Sequence, residues 1–111
     1  MKISVILTTY NRGETFLRQA IQSVADQTYK DWELIIFDNY STDNTDDVVK
    51  EFSMYDIKYI KLQNNGVIAK SRNAAIKVAK GEYIALIDSD DFWEANKLEE
   101  SYKYLSQKKY D

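Results

Sequence analysis

A chain of 111 residues supports one domain with one sheet and one core, and is short for an enzyme that must hold two substrates. With 15 basic against 18 acidic residues the net charge is −3, and no basic block marks a nucleic-acid surface. The lack of cysteine excludes disulfides and thiolate metal sites, and the lack of histidine leaves any general base to a carboxylate.

In chain order, Ile3 to Leu7 is a β-branched run that predicts a first strand, and it runs out into the polar Thr8-Thr9-Tyr10-Asn11. Asn11 and Glu14 have the spacing of a capping box. Phe16, Leu17, Ala20, Ile21, Val24 and Ala25 then recur on one helical face, predicting a helix that ends near Gln27. Glu33 to Phe37 predicts a second strand, which delivers a tract of turn and cap formers from Asp38 to Thr45. A short helix carrying Val48, Val49 and Phe52 follows. Ile57 to Leu62 mixes apolar residues with lysine, as an edge strand at the sheet's margin does.

Gln63 to Gly66 reads as a turn and Val67 to Lys80 as a helix that contains Arg72, with Gly81 placed as its C-cap. Tyr83 to Ile87 has no polar alternation, which predicts a central parallel strand buried on both faces. It breaks directly into Asp88, Asp90 and Asp91. Leu98, Tyr102 and Leu105 mark a last helix to about Gln107. Strand–helix–strand units repeat down the chain. The expected fold class is therefore α/β, Rossmann-like, with a mostly parallel sheet of about four strands flanked by helices.

Ligands of open α/β sheets bind outside the carboxyl ends of the strands. Three polar clusters are released at such ends: Thr8 to Asn11, Asp38 to Thr45, and Asp88 to Asp91. Acids that close repel one another and are hard to desolvate unless a cation joins them, and Mg2+ or Mn2+ suits carboxylate oxygens beside substrate phosphates. The plainer alternative is that Asp90 or Asp91 caps the next helix and Asp88 is solvated. Together the clusters outline a pocket for a base, a ribose and a metal-bound diphosphate. Trp32 and Trp93 read as core or pocket wall, with sugar stacking open to Trp93.

These motifs in combination resemble the family 2 glycosyltransferases of GT-A fold, over nearly the whole chain. Ser4-Val5-Ile6 with Thr8-Thr9-Tyr10-Asn11, and Gln27-Thr28-Tyr29 before Trp32-Glu33-Leu34-Ile35-Ile36, are similar to the family's first two strands. Asp38 to Thr45 resembles its D-[DN]-G-S-x-D-x-T signature, with Tyr40 in place of glycine. Gly66 with Ala69-Lys70-Ser71-Arg72-Asn73 resembles G-x-x-x-A-R-N. Asp88-Ser89-Asp90-Asp91, Trp93 and Lys97-Leu98-Glu99 resemble the D-x-D segment and the helix start after it, with Ala95 in place of proline.

The resemblance implies transfer of a sugar from a nucleotide-sugar donor, most commonly a UDP-sugar, to an acceptor hydroxyl, as in the making of cell-surface polysaccharide. Thr8 and Tyr10 would line the base and ribose, Asp38 would accept from the base, and Arg72 would help hold the nucleotide. Asp88 would serve the ribose or metal side, and Asp90 would be the main ligand of a divalent Mg2+ or Mn2+. Inversion needs a general base, which the family keeps in its second half, so the base is expected beyond Asp111. The whole chain, 1–111, then reads as the donor-binding domain of a longer enzyme, inactive in transfer alone and prone to self-association through uncovered apolar surface. The run after Met1-Lys2 is too short for a signal peptide and no stretch approaches a transmembrane span. A cytoplasmic place is expected, with attachment at the inner membrane face left to regions outside the chain. The rival reading is a non-catalytic metal- or nucleotide-binding module such as a receiver-like domain. That rival wants an acidic pair where this chain has Thr8-Thr9-Tyr10.

Overall fold

A computed structural model describes residues 3–10, 16–62, 68–88 and 92–108, with the side chains of 68–72, 88 and 104–108 excepted. The order is β1 (Ile3–Thr9), α1 (Arg18–Ala25), β2 (Trp32–Asp38), α2 (Thr45–Lys50), β3 (Ile57–Lys61), α3 (Ile68–Val78), β4 (Tyr83–Asp88) and α4 (Lys97–Lys108). The four strands form one parallel sheet in the order β3-β2-β1-β4. The βαβ reading of the sequence holds, and β3 lies at a margin as its lysines predict.

Among the described residues, the expectation that Tyr83 to Ile87 is a central strand buried on both faces is not met. β1 and β2 occupy the middle, whereas β4 is an edge, and its Ile84 and Leu86 are 45% and 48% exposed. Continuous apolarity marks a strand apolar on both faces. It does not say that both faces are covered by the same chain.

Alternation along the strands splits the core in two. One face carries Val5 and Leu7 of β1 with Leu34 and Ile36 of β2, and packs on Leu17, Ile21 and Val24, on Val48 and Phe52, and on Leu98. It is thus roofed by α1, α2 and α4. The other face carries Ile6, Ile35 and Phe37 against Ala75, Ala74 and Ala79 from α3. The small side chains let that helix lie close to the sheet.

Gly81 serves a different purpose from the helix cap its position suggests. α3 ends at Val78, and the Gly81 N–H donates to Ser4 Oγ at 2.8 Å. A Cβ there would lie 2.6 Å from the Ser4 backbone nitrogen, so glycine is required by the close approach of two strand starts. The same start of the sheet holds a buried carboxylate. Glu33, fully buried on β2, accepts from Ser4 Oγ (2.6 Å), from the Lys80 N–H (2.7 Å) and from Lys58 Nζ (2.7 Å). Burial pushes its pKa up, but these donors outweigh burial and hold it below the ordinary glutamate value.

Candidate nucleotide site at the strand ends

Because the sheet is parallel, its carboxyl ends share one edge. Register places Thr8 opposite Asp88, Thr9 opposite Asp38, and Asp38 opposite Lys61. Side chains paired across a ladder share a face. Thr9 and Asp38 therefore face the α2 side, and Thr8 the α3 side.

Asp38 ends β2 and is fully buried. Its Oδ1 accepts from the Ser41 N–H at 3.0 Å and from Ser41 Oγ at 2.5 Å, an aspartate-centred turn of the kind this residue favours. Its Oδ2 accepts from Tyr59 of β3 at 2.5 Å. The motif repeats once. Asp43 Oδ1 takes the Thr45 N–H at 3.1 Å and the Thr45 hydroxyl at 2.5 Å, and α2 begins there with Asp46 and Asp47 in its first turn, where the helix dipole favours anions. In this way the tract from Asp38 to Thr45 folds on its own aspartates. It sets Asp46 against β3, with Tyr59 Oη 2.6 Å from Oδ1 and Lys61 Nζ 3.1 Å from Oδ2. The Tyr59 hydroxyl and the lysine lower the Asp46 pKa, while burial and the two carboxylates raise that of Tyr59.

Tyr40, standing where the resemblance expects glycine, has φ 52° and is 54% exposed. It is the one non-glycine residue with positive φ among those described. Glycine would adopt this left-handed conformation freely, so the backbone keeps the shape the motif demands and tyrosine bears the strain.

The other candidate residues are placed less completely. Thr8 is half-buried near the end of β1, and Tyr10, just past it, is exposed. Arg72 lies in α3 and Asp88 closes β4, with only their backbones described. Asn11, Gly66, Asp90 and Asp91 lie outside the described residues. Trp93 packs on the core and, with Phe92 and Glu94, lines an open depression of about 710 Å3 beside α4. That depression is separate from Asp38.

Sequence reasoning missed four residues. Glu33 was legible as an acid inside a buried run, since a charge there must be paired. Tyr59 sits in the period-two pattern of β3 on the Asp38 face, a signal that needs the strand order to be read. Thr9 is 5% exposed, and its hydroxyl has no hydrogen-bond partner among the described residues. Gln27 is fully buried. It donates to the carbonyls of Ser23 (2.9 Å) and Glu94 (2.7 Å) and accepts from the Leu98 N–H (2.9 Å), so it caps α4 from the end of α1.

A buried acceptor with a neighbouring hydroxyl, at the carboxyl edge of a parallel sheet, can read the polar edge of a base. Residues 4–111 match the model of Glycosyl transferase family 2. The chain belongs to that family. It is 45% identical over 97 residues to the UDP-Glc:alpha-D-GlcNAc-diphosphoundecaprenol beta-1,3-glucosyltransferase WfgD of Escherichia coli, covering 87% of this chain and 38% of WfgD. It is 40% identical over 115 residues to the poly(ribitol-phosphate) beta-N-acetylglucosaminyltransferase TarP of Staphylococcus aureus, covering 99% of this chain and 35% of TarP. Among solved structures, S. aureus TarS 1–349 in complex with UDP superposes with a TM-score of 0.88 at 33% identity, over 96% of this chain and 32% of that one. The chain thus spans 32–38% of the length of these relatives. Membership of a glycosyltransferase family of GT-A fold sets aside the receiver-like alternative.

Proposed function

We propose that this chain is the donor-binding part of a metal-dependent, inverting glycosyltransferase that takes its sugar from a UDP-sugar, in the synthesis of a cell-surface polysaccharide. The observation that carries the reading is the buried Asp38 carboxylate at the carboxyl edge of a family 2 sheet. It is supported by the UDP complex of TarS and by the UDP-sugar in the name of WfgD. Asp38 would accept a ring N–H, Thr8 and Tyr10 would border base and ribose, and Arg72 would meet the phosphates, for which a guanidinium is well matched.

Asp88 and Asp90 would hold Mg2+ or Mn2+; hard oxygen donors at this edge fit such an ion. When bound, the ion neutralises charge that builds on the departing diphosphate. In the transfer itself the acceptor oxygen bonds to the anomeric carbon, the bond to the diphosphate oxygen breaks, and the hydroxyl proton passes to a base expected beyond Asp111. The uncovered Ile84 and Leu86 support self-association of the chain on its own.

Calorimetric titration of UDP with Mn2+, with and without EDTA, tests the reading. Binding is expected to need the metal, and Asp90→Asn is expected to abolish that dependence. Equal affinity in EDTA would rule out the metal assignment, and absence of UDP binding under every condition would rule out the donor site.

A further inference from the structure

The Tyr59 hydroxyl lies between two carboxylates, 2.5 Å from Asp38 Oδ2 and 2.6 Å from Asp46 Oδ1. A phenol has one proton to donate, so it serves one of these oxygens and leaves the other facing a lone pair. The two carboxylates are unequal. Asp46 has Lys61 Nζ at 3.1 Å and a half-exposed side chain open to water. Asp38 is fully buried, its Ser41 donors both go to Oδ1, and Tyr59 is the donor to Oδ2. An unmet buried acceptor costs more than an exposed one, so in the free protein the hydroxyl belongs to Asp38.

A ligand that brings its own N–H to Oδ2 removes that need. The hydroxyl can then turn to Asp46 Oδ1, already in hydrogen-bond range, and no donor is lost. On the neighbouring strand, at the register position opposite Asp38 and on the same face of the sheet, the Thr9 hydroxyl is buried without a partner among the described residues. An acceptor carboxylate next to a spare hydroxyl donor complements an N–H flanked by a carbonyl, which is the imide edge of uracil. Cytosine, whose corresponding ring nitrogen carries no proton, lacks it.

We propose that Tyr59 is a positioning residue that occupies Asp38 until the imide N–H of a nucleobase replaces it, with Asp46 as the hydroxyl's second acceptor. Asp38 favours uridine over cytidine, the competing Tyr59 hydroxyl tempers that preference, and Asp46 limits the loss by taking the displaced hydroxyl. This inference rests on the reading of Asp38 as the base acceptor.

The test is the ratio of UDP to CDP affinity, measured with Mn2+ on the wild-type chain, Tyr59→Phe, Asp46→Ala, the double variant and Asp38→Ala, each first shown to melt cooperatively. Tyr59→Phe keeps the ring and removes the competitor, so the ratio is expected to rise about three- to tenfold, the worth of one neutral hydrogen bond. Asp46→Ala takes away the second acceptor, and the ratio is expected to fall by a similar factor. Added to Tyr59→Phe, it is expected to change nothing. A prop that merely held Asp38 in place would give the opposite sign for Tyr59→Phe. A ratio that falls or stays level in that variant overturns the proposal, as does an Asp46 effect that persists in the double variant. The outcomes separate the inference from its premise. If Asp38→Ala binds UDP like the wild type, the base reading itself fails; if Asp38→Ala loses UDP while Tyr59→Phe leaves the ratio level, only the role of Tyr59 does.

Discussion

Two carboxylates on one strand are buried to the same degree and put to opposite uses. Glu33 near the start of β2 and Asp38 at its end both show no exposure. Glu33 is closed by donors from three other parts of the chain, one of them the cation Lys58, and so ties β1, β3 and the segment before β4 to β2. Asp38 receives its donors from its own turn and from a hydroxyl shared with Asp46, and no lysine or arginine forms an ion pair with its carboxylate among the described residues. A buried acid given a cation is finished as structure. One left with exchangeable neutral donors can still be bound by a ligand.

The largest effect is expected where the comparison is broken at the closed end. Glu33→Ala would leave the Lys80 N–H and the Ser4 hydroxyl without their acceptor and Lys58 without its partner. Removing one member of such a network costs about 3 kcal/mol, toward the low end for buried pairs because Lys58 still reaches water. In a domain of this size that lowers the melting temperature by on the order of 10–20 °C. A melt within a degree or two of wild type would show that the start of the sheet is held by packing alone.

Asp38→Ala is expected to act on binding instead. Loss of a hydrogen bond to a charged group weakens UDP affinity by about 1.5–3 kcal/mol, read by calorimetry. Unchanged affinity together with a large loss of stability would make Asp38 a second Glu33 and erase the contrast.

The difference also explains what could be read before the fold was known. The four strands and four helices of the described residues were legible, because β-branched runs and helical faces alternate in a βαβ rhythm. Three polar strand ends pointed to one edge for the same reason. Beyond the place of β3 at a margin, strand order was not legible: Tyr83 to Ile87 is as apolar as the middle strands, and local sequence carries no mark of which neighbour pairs with it. The roles of Tyr59 and Thr9 depend on that order, since Tyr59 reaches Asp38 only because β3 lies beside β2 and Thr9 meets it only across the β1–β2 ladder. Asp38 was found because it sits in a motif, and Glu33 was overlooked because it sits in a strand.

Acid sharpens the comparison further. Glu33 has its pKa held below the ordinary 4.5, so the folded state binds its proton less readily than the unfolded chain. Its contribution is present above about pH 4.5 and is lost as pH falls through the lowered folded value. Urea denaturation between pH 6 and 3 is expected to show stability falling with acid, and Lys58→Met is expected to flatten part of that slope. An unchanged slope in the variant would mean that Lys58 does not stabilise the ionised form.

The smallest effect concerns strain at the open end. Tyr40, two residues past Asp38, holds φ at 52°, which costs a residue with a side chain about 1–2 kcal/mol. Glycine relieves that cost but loses about 0.5–1 kcal/mol more conformational entropy on folding, so Tyr40→Gly is expected to gain stability by no more than about 1 kcal/mol. Strained residues persist where the surroundings use them, and this ring stands exposed two residues along the chain from the proposed base acceptor. Tyr40→Gly is therefore expected to melt slightly higher than wild type and to bind UDP a few-fold more weakly, the affinity loss of one aromatic contact. Higher stability with unchanged affinity would reduce Tyr40 to an unrelieved strain. Lower stability would show that the ring holds the turn after Asp38, making the open end of the strand more like the closed one.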